Sequence, residues 1–501
     1  MQVLGRVDMR LKDCLKAIDH FRQDKEGNPE ITDLVVDSRL IRPGSLFFCI
    51  KGHHLNGHRF AAQAALRGCA AIIAQEVVDV DVPVVYVDDS YRALAMIADY
   101  YYGHPSHDLH MVGVTGTNGK TTITYLVQAI QEDCGMSTGL IGTMGIHYKT
   151  AVASVVNTTP EVHLIHRHLA KMKAEGAASV VMETSSNALY DGRVRGCDFN
   201  VAVFTNLTED HLDLHGTMKD YMYAKSILFS QLGNRYGDGI KVAVLNADDP
   251  VSAVYRHMTA APVLTYGIDR PADFHASHLR IMPKGTSFTL TVGGKDYPVR
   301  MRLIGKFSVY NVLAALAACS VHGFDMKRMI TAVERIPGVS GRFEPVSAGQ
   351  PFTVIVDYSH TPDSLKNALA TIKEFAEKRI ITVVGCGGDR EHGKRPVMAR
   401  IAVFGSDLAI LTSDNPRTED PEAILREMEA GVRGRSYVKI TDRREAIRYA
   451  VRHASSGDII LIAGKGHETY QIVGKTKHHF DDREVAREAI VESMRQRDTR
   501  N

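Results

Sequence analysis

The stretch GVTGTNGKTT, residues 113–122, decides the fold of this chain. An apolar run, HMVGV, leads into it, and a helix-like run, ITYLVQAIQ, follows it. The glycines therefore lie in a tight turn that connects a strand to a helix. Such a turn binds phosphate, because free backbone N–H groups and the positive end of the helix dipole both point at the anion. The sequence predicts a phosphate-binding loop here.

Two residues of this stretch supply what a phosphate loop needs besides glycine. The ammonium of Lys120 reaches terminal phosphates, and the hydroxyl of Thr121 binds Mg²⁺. The loop departs from the GxxxxGK[ST] pattern, since Val114 occupies the place of the first glycine and Gly113 lies one residue earlier. A chance glycine-rich turn is the alternative. The succession of strand, turn, GKTT and helix favours phosphate binding.

Composition sets the class of protein. A chain of 501 residues suggests three domains at about 150 residues each. Hydrophobic residues make up 44% and charged residues 24%, as in a soluble globular protein. The 60 basic and 58 acidic residues nearly cancel, and no basic run is interleaved with aromatics, so the signature of a nucleic-acid binder is missing. We expect disorder only in the polar tail, residues 495–501.

The location of the protein follows from its cysteines and its first residues. The seven cysteines are scattered without CxxC spacing, which is typical of reduced thiols in the cytosol. MQVLGRVDMRLKD carries charges where a signal peptide needs an apolar segment, and nowhere do 18 apolar residues run uninterrupted. We expect a cytoplasmic monomer that has no membrane segment.

The order of elements predicts an α/β fold of three domains. Short strands and helices (TDLVVDS, GSLFFCI, AAQAALRGCA, VPVVYVDD) fill a first domain at 1–104, and a linker follows near Pro105. Strands that look buried alternate with helices over 105–336, which indicates a parallel sheet around the phosphate loop. ERIPGVSGRFEP marks the boundary to a Rossmann-like α/β domain at 337–501.

In the third domain, four apolar strands each run into a polar cluster. The strands FTVIVD, RIITVVG, LAILTS and DIILIAG precede DYSHTPD, CGGDREHGKRP, DNPRTEDP and KGHET. Ligands of open α/β sheets bind at the carboxyl ends of strands, so we expect a site there. The guanidinium of Arg417 would bind a carboxylate and Glu468 an ammonium, a pair suited to the zwitterionic end of an amino acid. Surface ion pairs are the alternative for both residues.

Two further segments are candidates for metal binding. Glu183 ends the apolar strand SVVMET and would offer Mg²⁺ an oxygen if that strand neighbours the phosphate-loop strand; a solvated strand-end carboxylate is the alternative. TNLTEDHLDLHG clusters Asp210, His211, Asp213 and His215, and the two histidines would face one zinc ion if the segment is helical. No third nitrogen or sulfur ligand is nearby, so a solvated turn and a phosphate-linked metal site remain as alternatives.

Two enzyme classes are not expected. No GxGxxG motif is complete anywhere in the chain, which argues against a nicotinamide or flavin enzyme. GxSxG is also absent, so an α/β-hydrolase would have no nucleophile.

A series of motifs resembles the Mur ligase family, and within it the branch that adds the third amino acid of the cytoplasmic peptidoglycan precursor. They cover nearly the whole chain in this order: GVTGTNGKTT, NTTPE, ETSSNAL, TNLTEDHLD, YAKS, NADDP, GRFE, DYSHTPD, GCGGDR, SDNPR and AGKGHE. The resemblance implies that ATP and Mg²⁺ drive the joining of meso-2,6-diaminopimelate to UDP-N-acetylmuramoyl-L-alanyl-D-glutamate. An acyl phosphate on the D-Glu γ-carboxylate is the implied intermediate.

The resemblance also implies where ATP and its metal ions bind. The implied phosphate-loop contacts are Gly116, Thr117, Asn118, Gly119, Lys120, Thr121 and Thr122. Further nucleotide contacts are implied at Asn311 on the adenine side and, for phosphates and ribose, at Arg342, Asp357 and His360. The first Mg²⁺ would be held by Thr121 and Glu183, and a second by His211. Lys225 of YAKS matches the lysine that CO₂ carbamylates to give a metal-binding group; a plain surface lysine is the alternative.

The other two substrates have implied sites of their own. Ser38 and the loop Gly52 to Gly57 resemble uridine-end contacts. Residues implied along the sugar and peptide are Asn157, Thr158, Thr159, Ser185 and Arg193. Those of the diaminopimelate pocket are Arg390, Asp414, Asn415, Pro416, Arg417, Gly464 and Glu468. The DNPR form is associated with diaminopimelate, whereas lysine-adding relatives usually lack its arginine.

Three positions depart from the family pattern. Asn187 and Ser308 stand where His and Asn are usual, and Ser359 replaces an alanine in a change that we expect to be neutral. They leave open a paralogue that joins another amino acid, such as L-lysine, and a non-catalytic relative that binds nucleotide sugars. The presence of the implied ATP and metal residues argues against the non-catalytic alternative.

Overall fold

The computed structural model describes residues 9–52, 55–234, 239–282, 284–432 and 434–498. Three sheets of five or more strands succeed one another along this part of the chain, each with its own helices, and two two-stranded sheets accompany them. Strands and helices are numbered in chain order below. The part of the loop Gly52 to Gly57 at residues 53 and 54 lies outside the described residues.

The first sheet has five strands in the order β2-β7-β6-β5-β4. The strands of this region are β1 Met9–Arg10, β2 Arg22–Asp24, β3 Glu30–Ile31, β4 Asp33–Val35, β5 Ser45–Phe48, β6 Ala71–Ala74 and β7 Val84–Tyr86. Its helices are α1 Leu11–Cys14, α2 Ala61–Leu66 and α3 Ser90–Tyr101. Strands β4 to β7 run parallel, and β2 is antiparallel to β7.

The sequence prediction for this region needs one correction. The helix expected over AAQAALRGCA ends at Leu66, and the alanine-rich AIIA that follows is the fully buried strand β6. Within the segment predicted as a linker, Pro105–Asp108 form a 3₁₀ turn. Proline fits the first position of such a turn, since its fixed φ is already helical.

The central sheet has eleven strands in the order β11-β10-β9-β12-β8-β13-β14-β15-β16-β17-β18. They are β8 His110–Thr115, β9 Thr138–Gly142, β10 Gly145–Tyr148, β11 Ala151–Ala153, β12 Ser179–Glu183, β13 Val201–Phe204, β14 Val242–Asn246, β15 Val263–Gly267, β16 Phe274–Met282, β17 Gly285–Val292 and β18 Lys295–Met301. The helices are α4 Lys120–Asp133, α5 Val162–Ala174, α6 Ser186–Asp191, α7 Leu212–His215, α8 Met218–Ser230, α9 Ser252–Met258, α10 Lys306–Ser320 and α11 Met326–Arg335.

The expected parallel core is present, but the sheet as a whole is mixed. Strands from β9 to β16 in the sheet order run parallel, and antiparallel strands extend both edges. Helices cover both faces: Ile123 of α4 and Leu316 of α10 pack in the core of one face, and Ile165 of α5 and Phe229 of α8 in that of the other. Strand β8 is buried between them, so the phosphate loop starts from the rigid centre of the sheet.

The third sheet has the order β19-β20-β24-β21-β22-β23 and is parallel apart from β19. Its strands, with the hairpin that follows, are β19 Glu344–Val346, β20 Thr353–Asp357, β21 Ile380–Val384, β22 Leu408–Leu411, β23 Val438–Lys439, β24 Ile459–Ala463, β25 Tyr470–Val473 and β26 Thr476–His479. The helices are α12 Pro362–Lys373, α13 Lys394–Gly405, α14 Pro421–Glu429, α15 Arg443–His453 and α16 Asp482–Asp498.

All four strands predicted in this region are present as β20, β21, β22 and β24, and their polar clusters share the carboxyl edge of the sheet. Helix α16 corrects the disorder predicted for the tail, since it continues to residue 498; residues 499–501 lie outside the described part. The seven cysteines are free thiols, as the sequence predicted. No helix within the described ranges is both long and apolar enough to cross a membrane.

Candidate active site

The phosphate loop leaves β8 at Thr115 and enters helix α4 at Lys120. Its backbone needs glycine at Gly116, where φ is +145° and a Cβ would lie 1.8 Å from the Thr205 hydroxyl oxygen. The end of the neighbouring strand β13 holds the loop in place. Thr117 N donates to the Asn206 carbonyl at 2.8 Å, and the Thr205 hydroxyl donates to the Asn118 carbonyl at 2.6 Å. The loop is therefore fixed before any ligand binds.

Two side chains at the end of the loop carry polar groups: Lys120 an ammonium and Thr121 a hydroxyl. Lys120 Nζ donates to the carbonyls of Gly116 and Thr117, at 2.9 Å each. The Thr121 hydroxyl donates to Glu183 Oε2 at 3.0 Å. An ammonium and a hydroxyl in these positions are the groups that a nucleotide triphosphate and its metal ion require.

Glu183 is the buried carboxylate beside the loop. It ends β12, which pairs directly with β8 as the prediction required, and only 1% of the residue is exposed. Thr143 donates to it twice, through its backbone N–H at 2.8 Å and its hydroxyl at 3.2 Å. Glu183 is thus an ordered, buried group, and the solvated alternative is wrong.

Thr121 and Glu183 fit Mg²⁺, which favours hard oxygen ligands and is commonly bound by one or two carboxylates together with substrate phosphates. Their oxygens lie 3.0 Å apart at the mouth of the loop. No cluster of three or more His, Cys, Asp or Glu side chains suited to a metal occurs in the described parts of the chain. Phosphate oxygens would therefore have to complete the coordination.

The segment TNLTEDHLDLHG is a loop that ends in one helical turn, α7. His211 precedes that turn with φ at +55°, and its Nε2 lies 3.4 Å from Asp210 Oδ2. His215 Nε2 lies 3.0 Å from the Ser186 hydroxyl. His211 lies outside the helical turn in a left-handed conformation, so the two histidines do not occupy positions i and i+4 on one helix face. The side chain of Asp213 lies outside those described.

Lys225 on helix α8 is buried against the phosphate loop. Only 1% of the residue is exposed, and its Nζ donates to the Gly116 carbonyl at 3.0 Å. The ammonium also lies 4.2 Å from the centroid of the Tyr221 ring. Burial lowers the pKa of this amine well below its usual value, and the neighbouring Lys120 lowers it further. The surface-lysine alternative is therefore wrong.

Two side chains of the third region of the chain contact the phosphate loop. Arg342 Nη2 donates to the Thr121 hydroxyl oxygen at 3.0 Å, with its guanidinium stacked 4.5 Å from the Tyr358 ring centroid. Asp363, at the start of helix α12, accepts from Asn118 Nδ2 and from the Thr208 hydroxyl, at 3.0 Å each. Sequence reasoning missed Asp363, although it closes the quoted motif DYSHTPD.

Asp363→Ala is expected to raise the KM for ATP about fivefold, the scale of one or two lost hydrogen bonds. The reason is that one bond joins the third domain to Asn118 of the predicted phosphate loop, and the other joins it to Thr208, whose backbone N–H donates to Thr117 of that loop. Phosphate release measured against ATP concentration checks it. Asp363→Asn keeps an acceptor oxygen and should have the smaller effect; an unchanged KM in the alanine variant would show that the contact plays no part in nucleotide binding.

The other three residues predicted to contact the nucleotide are Asp357, His360 and Asn311. Asp357 accepts from Phe343 N at 2.7 Å and from Ser359 N at 3.0 Å, and the Ser359 hydroxyl donates to the same carboxylate. His360 Nδ1 lies 2.9 Å from the Tyr358 carbonyl. Asn311 Oδ1 would lie 2.5 Å from a Cβ on Gly119, so Asn311 adjoins the phosphate loop. Its adenine contact stays a prediction.

Residues implied for the sugar and peptide gather around the end of β12. The Thr159 hydroxyl donates to the Glu183 carbonyl at 2.8 Å and accepts from Ser185 N at 3.0 Å. Arg193 Nη1 donates to the Thr159 carbonyl at 3.3 Å. The Thr158 and Thr143 hydroxyl oxygens lie 3.1 Å apart, which connects this strip to Glu183.

Four other positions named from the sequence take these places. Asn157 is exposed. Ser38 lies in the first region of the chain, where its hydroxyl donates to Gln63 Oε1 at 2.8 Å. Of the departures from the family pattern, Asn187 lies on α6, and Ser308 is buried on α10 with its hydroxyl donating to the Ile304 carbonyl at 2.8 Å.

The residues predicted for the amino-acid pocket lie at the carboxyl edge of the third sheet. Two guanidinium-bearing side chains flank Gly387: a Cβ there would lie 3.0 Å from Arg417 Nη1 and 3.9 Å from Arg390 Cγ. Arg417 donates to the Gly388 carbonyl at 2.6 Å and has no carboxylate within 4.0 Å among the described residues. The surface ion pair expected as its alternative is therefore wrong.

The acidic side of the pocket is buried. Asp414 is 8% exposed, and its Oδ2 would lie 2.6 Å from a Cβ on Gly464, which explains the glycine. Glu468 Oε2 accepts from Asn415 Nδ2 at 2.8 Å and from Lys465 Nζ at 3.0 Å. Pro416 separates Asn415 from Arg417. Sequence reasoning missed Lys465, although GKGHE contains it.

Three family models match the chain in order. One is described as the Mur ligase family catalytic domain, residues 30–102; the next as the Mur ligase middle domain, residues 114–319; the third as the Mur ligase glutamate ligase domain, residues 341–466. Together they match more than half of the sequence. The chain belongs to the Mur ligase family. It is thus an enzyme, and the alternative of a non-catalytic relative that binds nucleotide sugars is wrong.

Curated relatives match over nearly the full length of this Mur ligase. A protein of Geobacillus thermodenitrificans named UDP-N-acetylmuramoyl-L-alanyl-D-glutamate--2,6-diaminopimelate ligase is 53% identical over 487 residues, which are 97% of this chain and 100% of the relative. A Bacillus cereus protein of the same name is 52% identical over 484 residues, 96% of this chain and 99% of the relative.

Solved structures confirm the predicted three-domain α/β fold. A structure of a UDP-N-acetylmuramoyl-L-alanyl-D-glutamate--2,6-diaminopimelate ligase has a TM-score of 0.67 at 33% identity, and covers 93% of this chain and 96% of its own. MurF from Thermotoga maritima in complex with ADP has a TM-score of 0.64 at 18% identity, over 94% and 98% of the chains. At that identity MurF shows a shared fold alone.

Proposed function

We propose that this Mur ligase uses ATP to join meso-2,6-diaminopimelate to UDP-N-acetylmuramoyl-L-alanyl-D-glutamate, the MurE-type step of peptidoglycan precursor synthesis. One observation carries the proposal of a ligase site: Arg342 of the third domain contacts Thr121 of the phosphate loop at 3.0 Å. This contact supports a nucleotide site to which residues of two domains contribute. The choice of amine is supported by Arg417, which has a guanidinium free for a carboxylate, and by the names of the relatives.

The chemistry has two steps. An oxygen of the D-Glu γ-carboxylate attacks the γ-phosphorus of ATP, the bond to the β,γ-bridging oxygen breaks, and ADP leaves. The amine of diaminopimelate then attacks the acyl carbon, a C–N bond forms, and phosphate leaves with the former carboxylate oxygen while the amine loses a proton. Lys120 and Arg342 stabilise the negative charge that develops on the transferring phosphoryl group.

Thr121 and Glu183 would hold one Mg²⁺ in this proposal, and His211 with carbamylated Lys225 a second. Bound Mg²⁺ neutralises phosphate charge and so favours attack by an anionic carboxylate. Glu183 supports the first assignment because its carboxylate is buried and already contacts the Thr121 hydroxyl. Lys225 Nζ and Lys120 Nζ both donate to the Gly116 carbonyl, which supports a role for the Lys225 amine beside the phosphate loop.

Lys225 is expected to carry one added CO₂. Its buried amine has no carboxylate within 4.0 Å among the described residues, and the low pKa favours the neutral form. A neutral amine attacks the carbon of CO₂, a N–C bond forms, and the nitrogen loses a proton to leave a carbamate that binds metal through oxygen. Native mass spectrometry in bicarbonate buffer should detect this mass, and Lys225→Met should lack it. An unmodified amine in fully active protein would contradict the assignment.

We further propose that the UDP-sugar extends from Ser38 and the loop Gly52 to Gly57 toward the strip at Thr159, with boundaries between domains near 105 and 337. Thr159 supports this path because its hydroxyl donates to the Glu183 carbonyl, and Arg193 supports it because its guanidinium donates to the Thr159 carbonyl. The near-zero net charge supports a protein with small-molecule substrates and no nucleic-acid partner. We propose a cytoplasmic monomer, without a membrane partner.

Labelling the γ-carboxylate with ¹⁸O tests the acyl-phosphate route. Because phosphate leaves with a carboxylate oxygen, the released phosphate should contain one ¹⁸O atom per turnover. Omitting the amine provides the control, since phosphate release should then be slow. Unlabelled phosphate during product formation would exclude the route.

A further inference from the structure

Lys465 is a buried cation inside the amino-acid pocket. It follows β24, and its side chain is 0% exposed. Its Nζ donates to Glu468 Oε2 at 3.0 Å, to Asn415 Oδ1 at 3.1 Å and to the Tyr470 carbonyl at 2.5 Å. An ammonium has three N–H donors, so all three are in use. A substrate carboxylate therefore has no donor left on Lys465.

We propose that Lys465 is a positioning residue, which sets Glu468 and Asn415 in the geometry that binds the ammonium end of the incoming amino acid. This inference rests on the proposed function, because it assigns Glu468 and Asn415 to the amino-acid pocket. Lys465 acts through these two residues and does not touch the substrate itself.

The orientation of the Asn415 amide shows how this works. Asn415 Oδ1 accepts from Lys465 Nζ at 3.1 Å and from Ile472 N at 3.0 Å. Its Nδ2 must then point the other way, and it donates to Glu468 Oε2 at 2.8 Å. A flipped amide would place N–H groups against two donors. Lys465 therefore fixes which end of Asn415 faces Glu468.

The charge of Glu468 depends on the same ammonium. A partly buried carboxylate is costly without a cation and hydrogen bonds, and Asp414 is a second buried acid in the same pocket. Lys465 supplies a positive charge and a hydrogen bond to Glu468 from the protein side. Without Lys465, the carboxylates of Asp414 and Glu468 and the amide of Asn415 would take up other positions.

The test compares steady-state constants of wild type and Lys465→Met, each with ATP, UDP-N-acetylmuramoyl-L-alanyl-D-glutamate and meso-diaminopimelate. The KM for diaminopimelate should rise at least about tenfold, the scale of a misplaced charge-assisted bond. The KM values for ATP and the UDP-sugar should stay within about twofold of wild type. Lys465→Gln, which keeps two donors but no charge, should be intermediate and serves as the readout if the methionine variant does not fold.

A double-mutant cycle separates positioning from a structural role. If Lys465 acts through Glu468, the variant with both Lys465→Met and Glu468→Gln should have about the same KM for diaminopimelate as Glu468→Gln alone. If the two substitutions acted independently, their fold-increases in the KM for diaminopimelate would multiply in the double variant. That result, or a Lys465→Met variant whose KM for diaminopimelate stays within about twofold of wild type, would overturn the inference.

Arg379→Met is the matched control. Arg379 Nη2 lies 2.7 Å from the buried Asp458, at the amino edge of the same sheet and so at the end opposite the pocket. Its loss should lower the melting temperature without changing the KM for diaminopimelate. If Lys465→Met and Arg379→Met raise that KM equally, general destabilisation explains both and the inference fails. Wild-type protein that forms no product with diaminopimelate would instead defeat the proposed function.

Discussion

Lys120→Ala is expected to lower kcat about 10²- to 10³-fold, the loss seen when one preorganised donor to a developing negative charge is removed. Lys120 stands over the phosphate loop, where its Nζ donates to Gly116 and Thr117 at 2.9 Å each. These carbonyls hold the ammonium at the place proposed for the terminal phosphates, so we expect little reorganisation during transfer. Steady-state release of phosphate at saturating ATP measures the effect.

The control for Lys120 is another lysine of the central domain. Lys173 ends helix α5 near the amino edge of the sheet, where it forms an exposed ion pair with Asp108. Lys173→Ala should leave kcat unchanged, since an exposed pair contributes little. A Lys120→Ala variant that retains more than about a tenth of wild-type kcat would contradict the role of the loop as the γ-phosphate site.

Arg417→Ala is expected to raise the KM for meso-diaminopimelate at least about tenfold, because a charge-assisted hydrogen bond to a carboxylate contributes about 1.5 to 3 kcal/mol. L-lysine has no second carboxylate, so the low rate at which the enzyme uses L-lysine as a substrate should change little. The variant should therefore lose discrimination between the two amines. Competition between labelled diaminopimelate and L-lysine, read out as product mass, measures both effects.

The backbone at Arg417 makes this substitution clean. Its φ is +50°, a conformation strained for any residue with a Cβ, and alanine has the same Cβ as arginine. The change thus removes the guanidinium and leaves the strain as it was. Arg426, exposed on α14 with Asp420 at 3.5 Å, is the matched control. An unchanged KM in Arg417→Ala would remove this residue from the pocket.

The parts of the site that sequence predicts are those set by local geometry. A strand, a glycine turn and a helix within 25 residues define the phosphate loop, and polar clusters at strand ends define the carboxyl edge of the third sheet. The pairing of β12 with β8, which buries Glu183, depended on strand order. From the sequence alone, this pairing could be stated only as a condition for a metal-binding role of Glu183.

Other features could not be predicted, because they depend on contacts between distant parts of the chain. Lys465 lies between glycines, a setting typical of an exposed lysine, and only the fold surrounds it with Asn415, Glu468 and Tyr470. The antiparallel strands β16 to β18 were missed because polar residues interrupt their apolar pattern. Strand β6 was missed because its alanines favour a helix.

The measurement that tests the central claim most directly incubates purified protein with ATP, Mg²⁺ and UDP-N-acetylmuramoyl-L-alanyl-D-glutamate, and adds meso-diaminopimelate or L-lysine in parallel. Phosphate release and product mass are followed together. We expect the tripeptide product with diaminopimelate and none with L-lysine, because only diaminopimelate offers Arg417 a second carboxylate. Product with L-lysine at a comparable rate would contradict the pocket assignment, and product with neither amine would contradict the proposed reaction.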